Sequence, residues 1–301
     1  MIKEQENRKR KLSPGRRMFI VINIIVLTLV ALTCILPFVY LVAVSFSDKV
    51  YVEAGRVSFW PMGFNTLAYQ YLITKRAFWN AFLVSIKRTI LGTLINLTII
   101  FLTAYPLSKS NYRLCFRNIY VWFFFITMLI SGGMIPTYVL VNSLGLRDTI
   151  WALVLPGALP IFNLVLMINF FQEIPSDLED AAMIDGAGRV RTLVSIYIPL
   201  SKPAVATISL FCMVNHWNAW FDGVIYMRTA SKVPLQTYLR SIILKMDMTE
   251  MTGDDYSLLQ LLSNQTVRAA QIIVAVIPIL MVYPFLQKYF VKGITLGGVK
   301  G

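Results

Sequence analysis

Residues 18–47 read MFIVINIIVLTLVALTCILPFVYLVAVSFS and contain no Asp, Glu, Lys or Arg. The stretch exceeds the about 20 residues that an α-helix needs to cross about 30 Å of hydrocarbon. Inside lipid a backbone must satisfy its own hydrogen bonds, which a helix does within a single segment. Barrel strands would be about half as long and would alternate in polarity. The stretch is therefore predicted to be a membrane helix.

The rest of the chain repeats this pattern. Hydrophobic residues make up 57% of the sequence, charged residues 14%, and the mean hydropathy is +0.65, values that a soluble domain rarely reaches. Five further long windows lack charged residues: 89–108, 118–146, 149–172, 203–221 and 269–287. A window at 57–74 is interrupted by Pro, Gly and polar residues and is predicted to be an external loop with amphipathic pieces. We predict an all-α membrane protein with six transmembrane helices.

Lys and Arg residues predict the orientation, because they resist translocation in short loops and near helix ends. The N-terminus is predicted to be cytoplasmic, and after six helices the C-terminus returns to the same side. The longer external loops also contain Lys and Arg, but long loops weigh little in this rule. The first seventeen residues carry seven of these cations: Lys3, Arg8, Lys9, Arg10, Lys11, Arg16 and Arg17.

This topology divides the chain into a basic cytoplasmic tail at 1–17, a six-helix membrane domain at 18–290 and a cytoplasmic tail at 291–301. A cytoplasmic loop at 171–203 joins the fourth and fifth helices. The protein is expected in the plasma (inner) membrane as a multi-pass protein.

Gly132 and Gly133 are predicted to break or kink the third helix. Two prolines, Pro278 and Pro284, are predicted to do the same in the sixth.

The net charge of +13 fits topology and contact with anionic lipid headgroups. The cations are spread along helix ends and are not gathered on one face with interleaved aromatic residues, so no nucleic-acid partner is expected. Cys34, Cys115 and Cys212 are odd in number and widely separated. They are predicted to be packing residues, and no metal site is expected.

The cytoplasmic loop is longer than the usual connection between adjacent helices. Ser176 or Asp177 can cap a first short helix, and Gly186 then lowers helix propensity and permits a bend. A second short helix is predicted over 190–198, ended by Pro199. Two short helices that meet at a glycine and carry an Ala-rich face can fit a groove on a neighbouring protein.

The same loop contains Asp180-Ala181-Ala182, then three residues, Gly186, nine residues and Ile196-x-Ile198-Pro199. This spacing resembles the EAA loop of permease subunits in binding-protein-dependent ABC importers. Asp180 stands where the pattern has Glu, and Ile198 where it has Leu. Both departures preserve charge or apolarity.

The resemblance extends over nearly the whole chain and is closest to the carbohydrate branch, including lpl- and ytc-type oligosaccharide permeases. The C-terminal Gly297-Gly-Val-Lys-Gly301 is similar to the tail of the second permease of maltose importers. The other matching segments are Ser131-Gly-Gly-Met-Ile-Pro-Thr-Tyr138, Asn169-Phe-Phe171, Leu200-Ser-Lys-Pro203, His216-Trp-Asn218 and Tyr283-Pro-Phe-Leu-Gln-Lys-Tyr-Phe290.

The resemblance implies an ABC type I importer permease fold and a division of labour among subunits. An extracytoplasmic binding protein captures the sugar, this chain and a second permease form the path, and two ATPase subunits hydrolyse ATP with Mg²⁺. The chain has no Walker lysine loop, so it is expected to bind no nucleotide and to catalyse no reaction. An ordinary solvated loop is the alternative to a coupling loop. The resemblance assigns coupling to Glu179, Asp180, Ala181, Ala182, Asp185, Gly186 and Ala187, and ATPase contact by the tail to Gly297, Gly298 and Lys300.

A second polar group lies in the fifth predicted helix. Sugars offer hydroxyls to hydrogen-bonding groups and C–H faces to aromatic rings, so these side chains are candidates for a sugar path. Hydrogen bonds between helices and an aromatic belt at the membrane boundary are the alternative. The candidates are Asn215, His216, Trp217, Asn218, Trp220 and Asp222.

Lys87 and Arg88 interrupt the start of the second predicted helix. They are predicted to reach the outer headgroups or to pair near the external mouth, with contact to an acidic sugar as the alternative.

Two other protein classes have weaker support. A secondary transporter would carry ionisable residues at membrane depth for ion coupling, and the cores of the predicted helices offer almost none. A membrane enzyme would need paired carboxylates, a nucleophile with its base or clustered metal ligands, and no such set is found. The sequence names neither the sugar nor the partner permease.

Overall fold

The computed structural model describes residues 14–110, 112–130, 132–247 and 262–297. These ranges form helices and connecting turns without any β-strand, which confirms the predicted all-α class for the described part of the chain. The chain divides into two compact units. One comprises Met1–Tyr69 and Gly253–Ile273, and the other, larger unit comprises Gln70–Thr252 and Val274–Gly301.

The helices of the described ranges are numbered in chain order. A π-helical turn at Leu193–Tyr197 lies inside α10. The helices are α1 Pro14–Ser45, α2 Lys49–Glu53, α3 Leu67–Ile73, α4 Arg76–Leu107, α5 Arg117–Leu129, α6 Met134–Ser143, α7 Ile150–Val154, α8 Ile161–Gln172, α9 Ser176–Ile184, α10 Arg189–Leu200, α11 Lys202–Asn218, α12 Phe221–Tyr226, α13 Leu235–Asp247 and α14 Asn264–Gly297.

Three helical segments are each long and apolar enough to cross a membrane: α1, α4 and Asn264–Val282 of α14. Three bent pairs pass the same test together. They are α5 with α6 at 110°, Ile150–Gly157 with α8 at 52°, and α10 with α11 at 88°. The described residues thus contain three to six candidate spans, and six result if each bent pair crosses once. The six-span topology stays a prediction.

Two predicted helix boundaries were wrong. Helix α4 begins at Arg76, well before residue 89, so Lys87 and Arg88 lie inside it and do not interrupt its start. Arg88 is tolerated there because its side chain is buried and paired with Asp222. The window 149–172 was predicted as one helix but breaks between α7 and α8, where two prolines lack the amide hydrogen that a continuing helix needs.

The predicted break in the third window is confirmed. Helix α5 ends at Leu129 and α6 begins at Met134, after Gly133 with φ +85°. A positive φ of this size suits glycine, which has no Cβ. By contrast, α14 continues through Pro278 and Pro284, so these prolines do not break the helix, and the predicted kink stays a prediction. Membrane helices tolerate internal prolines when neighbouring groups satisfy the freed carbonyls.

The two short helices predicted in the loop at 171–203 are confirmed as α9 and α10, which meet at Gly186. Two details differ. No side chain caps α9, which begins at Ser176 after Pro175. Helix α10 also continues through Pro199 to Leu200. Pro199 is the second residue of its last short segment, Ile198–Leu200, where the missing amide hydrogen removes no needed hydrogen bond.

Four helices of the larger unit share a buried apolar core. Helix α4 contributes Ile100 and Ala104, and α8, α10 and α11 pack around them. The remaining core residues are Tyr105, Leu107, Leu164, Met167, Ile168, Phe171, Leu193, Tyr197, Ala204, Ile208 and Cys212. Burial of this surface fixes α10 against α4, and the candidate site lies at the end of α4. In the smaller unit a separate core joins α1, α2 and α14 through Ala43, Val44, Val52, Val57 and Ala269.

Candidate functional site

The elbow, which we define as residues 176–200, consists of α9, a tight turn and α10. Gly186 follows the end of α9 with φ +77°, a conformation that residues with a Cβ rarely adopt. Its amide donates to Met183 O at 3.1 Å, and the amide of Ala187 donates to Ala182 O at 2.8 Å. These two bonds form a Schellman-type helix end. The glycine is therefore what lets the chain reverse between the two helices.

The carboxylate of Glu179 points inward and is 2% exposed. Its Oε1 accepts a hydrogen bond from the Tyr105 hydroxyl at 2.8 Å. Its Oε2 accepts from Lys109 Nζ at 2.7 Å, from Arg113 Nη1 at 3.1 Å and from the Tyr197 hydroxyl at 3.1 Å. Burial opposes ionisation of Glu179, but the bonds from Lys109 and Tyr105 outweigh it, so its pKa lies below the usual range.

Lys109 contacts two aromatic rings in addition to the Glu179 carboxylate. Its Nζ is 4.0 Å from the ring centre of Tyr105 and 3.9 Å from that of Tyr197, and it donates to the Tyr197 hydroxyl at 2.7 Å. Burial lowers the pKa of Lys109, against the opposing effect of Glu179. The two rings meet edge to face at 4.9 Å. A buried ammonium is thus held by an opposite charge and two π-faces.

Arg113 links the buried carboxylate of Glu179 to the more exposed carboxylate of Asp180. Besides Glu179, it binds both oxygens of Asp180 through Nη2 at 2.8 Å. The side chain of Asp180 is 49% exposed, whereas that of Arg113 is 32% exposed. The hydrogen bond to Asp180 raises the pKa of Arg113 above its ordinary value. Two adjacent acidic residues of α9 therefore have different environments, one enclosed and one at the surface.

The exposed side of the elbow carries five large apolar side chains among charged ones. Ile184, next to the turn, is 87% exposed, and Val190 at the start of α10 is 68% exposed. Leu178, Met183 and Val194 are also exposed. Exposed large apolar side chains are typical of protein contact sites. We call these five side chains the outer face.

The predicted coupling residues divide between the two sides of the elbow. Ala181, Asp185 and Gly186 are exposed beside the outer face, while Glu179 and Ala182 are buried. Asp180 and Ala187 are half-buried. Of the predicted tail contacts, Gly297 ends α14. Gly298 and Lys300 lie outside the described residues.

The polar group at the end of α11 also divides. His216 and Trp217 are each 5% exposed. His216 Nε2 lies 3.3 Å from Asn96 Oδ1, and Trp217 Nε1 donates to Ala275 O at 2.8 Å. Both residues thus bind other helices, as the packing alternative predicted. Asn215 and Asn218 are exposed.

The remaining two path candidates lie just after α11. The ring of Trp220 is covered by Arg240, whose guanidinium carbon is 3.7 Å from the ring centre. Asp222 pairs with Arg88. Arg88 therefore forms a pair, and its partner is one of the residues predicted for the sugar path. The location of this pair near the external mouth stays a prediction.

Sequence reasoning missed the inner half of the site: Tyr105, Lys109, Arg113 and Tyr197. Lys109 and Arg113 were not among the predicted coupling residues. Lys109 is 70 positions from Glu179, and Arg113 is 67 from Asp180. The usable signal was a Tyr and a Lys four residues apart, which share one face of a helical turn.

Similarity to known proteins places the chain in a family. The profile described as "Binding-protein-dependent transport system inner membrane component" matches residues 12–296. Protein LplC of Bacillus subtilis (strain 168) is 42% identical over 285 residues, which cover 95% of this chain and 96% of LplC. The polygalacturonan/rhamnogalacturonan transport system permease protein YtcP of the same strain is 41% identical over 280 residues, covering 91% and 96%.

A solved structure agrees with the sequence matches. A chain from a bacterial ABC transporter involved in the import of the acidic polysaccharide alginate superposes with a TM-score of 0.82 at 34% identity, covering 93% of this chain and 99% of that one. The protein belongs to the family of inner membrane components of binding-protein-dependent transport systems, which confirms the family resemblance that the sequence motifs indicated.

Proposed function

We propose that this chain is a transmembrane permease subunit of an ATP-driven carbohydrate importer, and that its elbow docks on an ATPase subunit. The observation that carries the proposal is the outer face, because the elbow presents Ile184 at 87% exposure while its inner side is anchored by Glu179. A soluble surface gains nothing from such an apolar tip, whereas a partner groove buries it.

The assembly we propose has this chain and a second permease in the plasma (inner) membrane, each with cytoplasmic termini, and six spans in this chain. Two ATPase subunits bind ATP and Mg²⁺, and an extracytoplasmic binding protein delivers the sugar. This chain itself catalyses no reaction. The C-terminal residues from Gly297 are proposed to add a contact with the ATPase.

An oligosaccharide is the proposed cargo. Support comes from the names of two relatives, which specify polygalacturonan or rhamnogalacturonan for YtcP and alginate for the solved transporter. Within the chain, Asn215, Asn218 and Trp220 are proposed to face the path, since their side chains are not enclosed. His216, Trp217 and Asp222 are proposed to position them through contacts with other helices.

Retention of ATPase subunits by the purified permease tests this function. Ile184→Asp places a charge on the outer face and is expected to lower the amount of co-purified ATPase at least tenfold. Val50→Asp is the matched control, because Val50 is 70% exposed but lies in α2, which follows α1 and is proposed to be on the external side. Full retention by Ile184→Asp, or equal loss in both variants, would contradict docking through the elbow.

A further inference from the structure

We propose that Glu179 is a positioning residue whose buried carboxylate fastens the elbow to α4, so that movement of the docked elbow moves this helix. The inference rests on the proposed function, since it assigns the inner side of an elbow whose outer side docks. It concerns the contacts that Glu179 makes within its own chain.

The donors that reach Glu179 come from three separate segments. Tyr105 lies in the last turn of α4 and Lys109 two residues after its end. Arg113 precedes α5, and Tyr197 lies in the π-helical turn of α10. An ionised carboxylate only accepts hydrogen bonds, and all four of these groups donate one to it. A single side chain of α9 thus joins α4, α10 and the segment before α5.

Apolar contact contributes little to the attachment of α9. Its buried residues are Glu179 and Ala182, and an alanine offers only one methyl group. The neighbouring α10 contributes Leu193 and Tyr197 to the core shared with α4. Helix α9 is therefore held mainly by charge and hydrogen bonding. Such bonds to ionised groups are shorter and stronger than neutral ones, and they fix direction as well as distance.

Helix α4 is suited to carry the movement onward. It runs unbroken from Arg76 to Leu107 and packs against α8 and α11. Arg88, about 25 Å from Tyr105 along the axis at 1.5 Å per residue, binds Asp222 and the carbonyl of Leu153. The helix therefore links the Glu179 cluster at one end to the α7 and α12 region toward the other. Coupling through a packed, rigid element requires this continuity.

The attachment of the elbow to α4 through Glu179 is tested by the number of sugar molecules imported per ATP hydrolysed. We compare Glu179→Gln with Asp177→Asn in the full transporter reconstituted in vesicles with its binding protein. Glutamine keeps the size of the side chain but removes the charge that pairs with Lys109 and Arg113. Asp177 is exposed on the same short helix, and no bond to its side chain is present in the described part of the chain.

Glu179→Gln is expected to keep its ATPase subunits and to hydrolyse ATP while its import per ATP falls at least tenfold. Amide hydrogen exchange in α9, measured on the permease without its ATPase subunits, should accelerate at least tenfold, a change that loss of docking would not cause. Asp177→Asn should match the wild type in import per ATP and in the exchange rate of α9. An unchanged import ratio in Glu179→Gln, or faster exchange with full coupling, would overturn the inference.

A milder variant covers the case in which Glu179→Gln does not assemble. Tyr105→Phe keeps the ring over Lys109 and removes one hydroxyl donor, so its import per ATP is expected to fall about two- to fivefold. An unchanged ratio in Tyr105→Phe would then overturn the inference. Failure of the proposed function is a separate result, because in that case the wild-type permease would itself retain no ATPase.

Discussion

Arg88 and Asp222 form an ion pair within the larger unit although 134 positions separate them in the sequence. Arg88 Nη1 lies 3.0 Å from Asp222 Oδ1, and Nη2 binds Oδ2. The same guanidinium donates to Ala219 O at 3.1 Å and to Leu153 O at 3.3 Å. One side chain of α4 therefore joins α7 to the turn between α11 and α12.

Arg88→Met is expected to destabilise the permease, because it leaves the partly buried Asp222 carboxylate without its partner. Loss of one member of a buried pair costs about 3–5 kcal/mol, and the 25% exposure of Asp222 favours the lower end. The midpoint of thermal unfolding in detergent measures the change. Lys87→Met is the matched control, since Lys87 is exposed and no pairing of it is present in the described residues. Equal midpoints for the two variants would refute the assigned role.

This pair shows which part of the fold sequence could predict. Apolar length and composition predicted the helices, because the requirement to cross lipid acts on each segment separately. The partner of Arg88 depends on how α4 and α12 pack, and no local pattern contains that information. The start of α4 was wrong because the predicted window was bounded by Lys87 and Arg88, whereas the paired Arg88 lies inside the helix.

The candidate site was also predicted only where its structure depends on local sequence. The spacing around Gly186 predicted the elbow and its bend, because a positive φ is a local demand on one residue. Glu179 and Asp180 are neighbours with similar chemistry, but adjacent helix positions face about 100° apart. Which carboxylate is enclosed follows from the position of Lys109, which is set by tertiary packing.

Gly92 is the close-approach point between α4 and α11, because a Cβ added there would meet the imidazole ring of His216. Gly92→Ala is therefore expected to cost about 1–3 kcal/mol through overpacking, measured as a lower unfolding midpoint. Gly157→Ala, where no atom lies within 4 Å of the added Cβ, is the control and should cost much less. His216→Ala alone also costs stability, because the ring is buried, so the two costs are compared in a double-mutant cycle and should be less than additive. Additive costs would mean that the ring is not the obstacle.

Gly186 is required for its backbone conformation and not for space, since nothing lies within 4 Å of an added Cβ. Gly186→Val is expected to strain the turn, at about 1–2 kcal/mol for a residue held in the left-handed region, and to lower import per ATP in reconstituted vesicles. Gly186→Asn should retain more activity because Asn tolerates this region. Gly188→Val is the control, as Gly188 has φ −70° and open surroundings. Equal losses of import per ATP in Gly186→Val and Gly188→Val would contradict the requirement for glycine at 186.

Asp148 joins the turn before α7 to the segment after α12. Its Oδ1 accepts from the amides of Arg228 and Thr229, both at 3.0 Å. Its Oδ2 accepts from the Thr229 hydroxyl at 2.6 Å and from Lys232 Nζ at 2.9 Å. The bonds from Thr229, with those from Lys232 and Arg228, hold the pKa of the Asp148 carboxyl far below its ordinary value.

A lowered pKa in the folded state means that the ionised Asp148 stabilises the fold above the ordinary carboxyl pKa of about 4 and loses that effect as the pH falls below it. The difference in unfolding midpoint between wild type and Asp148→Asn is therefore expected to be the same at pH 7 and pH 5 and to shrink below about pH 4. Asp177→Asn, an exposed carboxylate on α9, should show little difference from the wild type at any of these values. Because protonation of other carboxylates lowers both midpoints together, only their difference reports on Asp148. A difference that stays constant down to about pH 3 would mean that the carboxylate charge does not hold the two segments together.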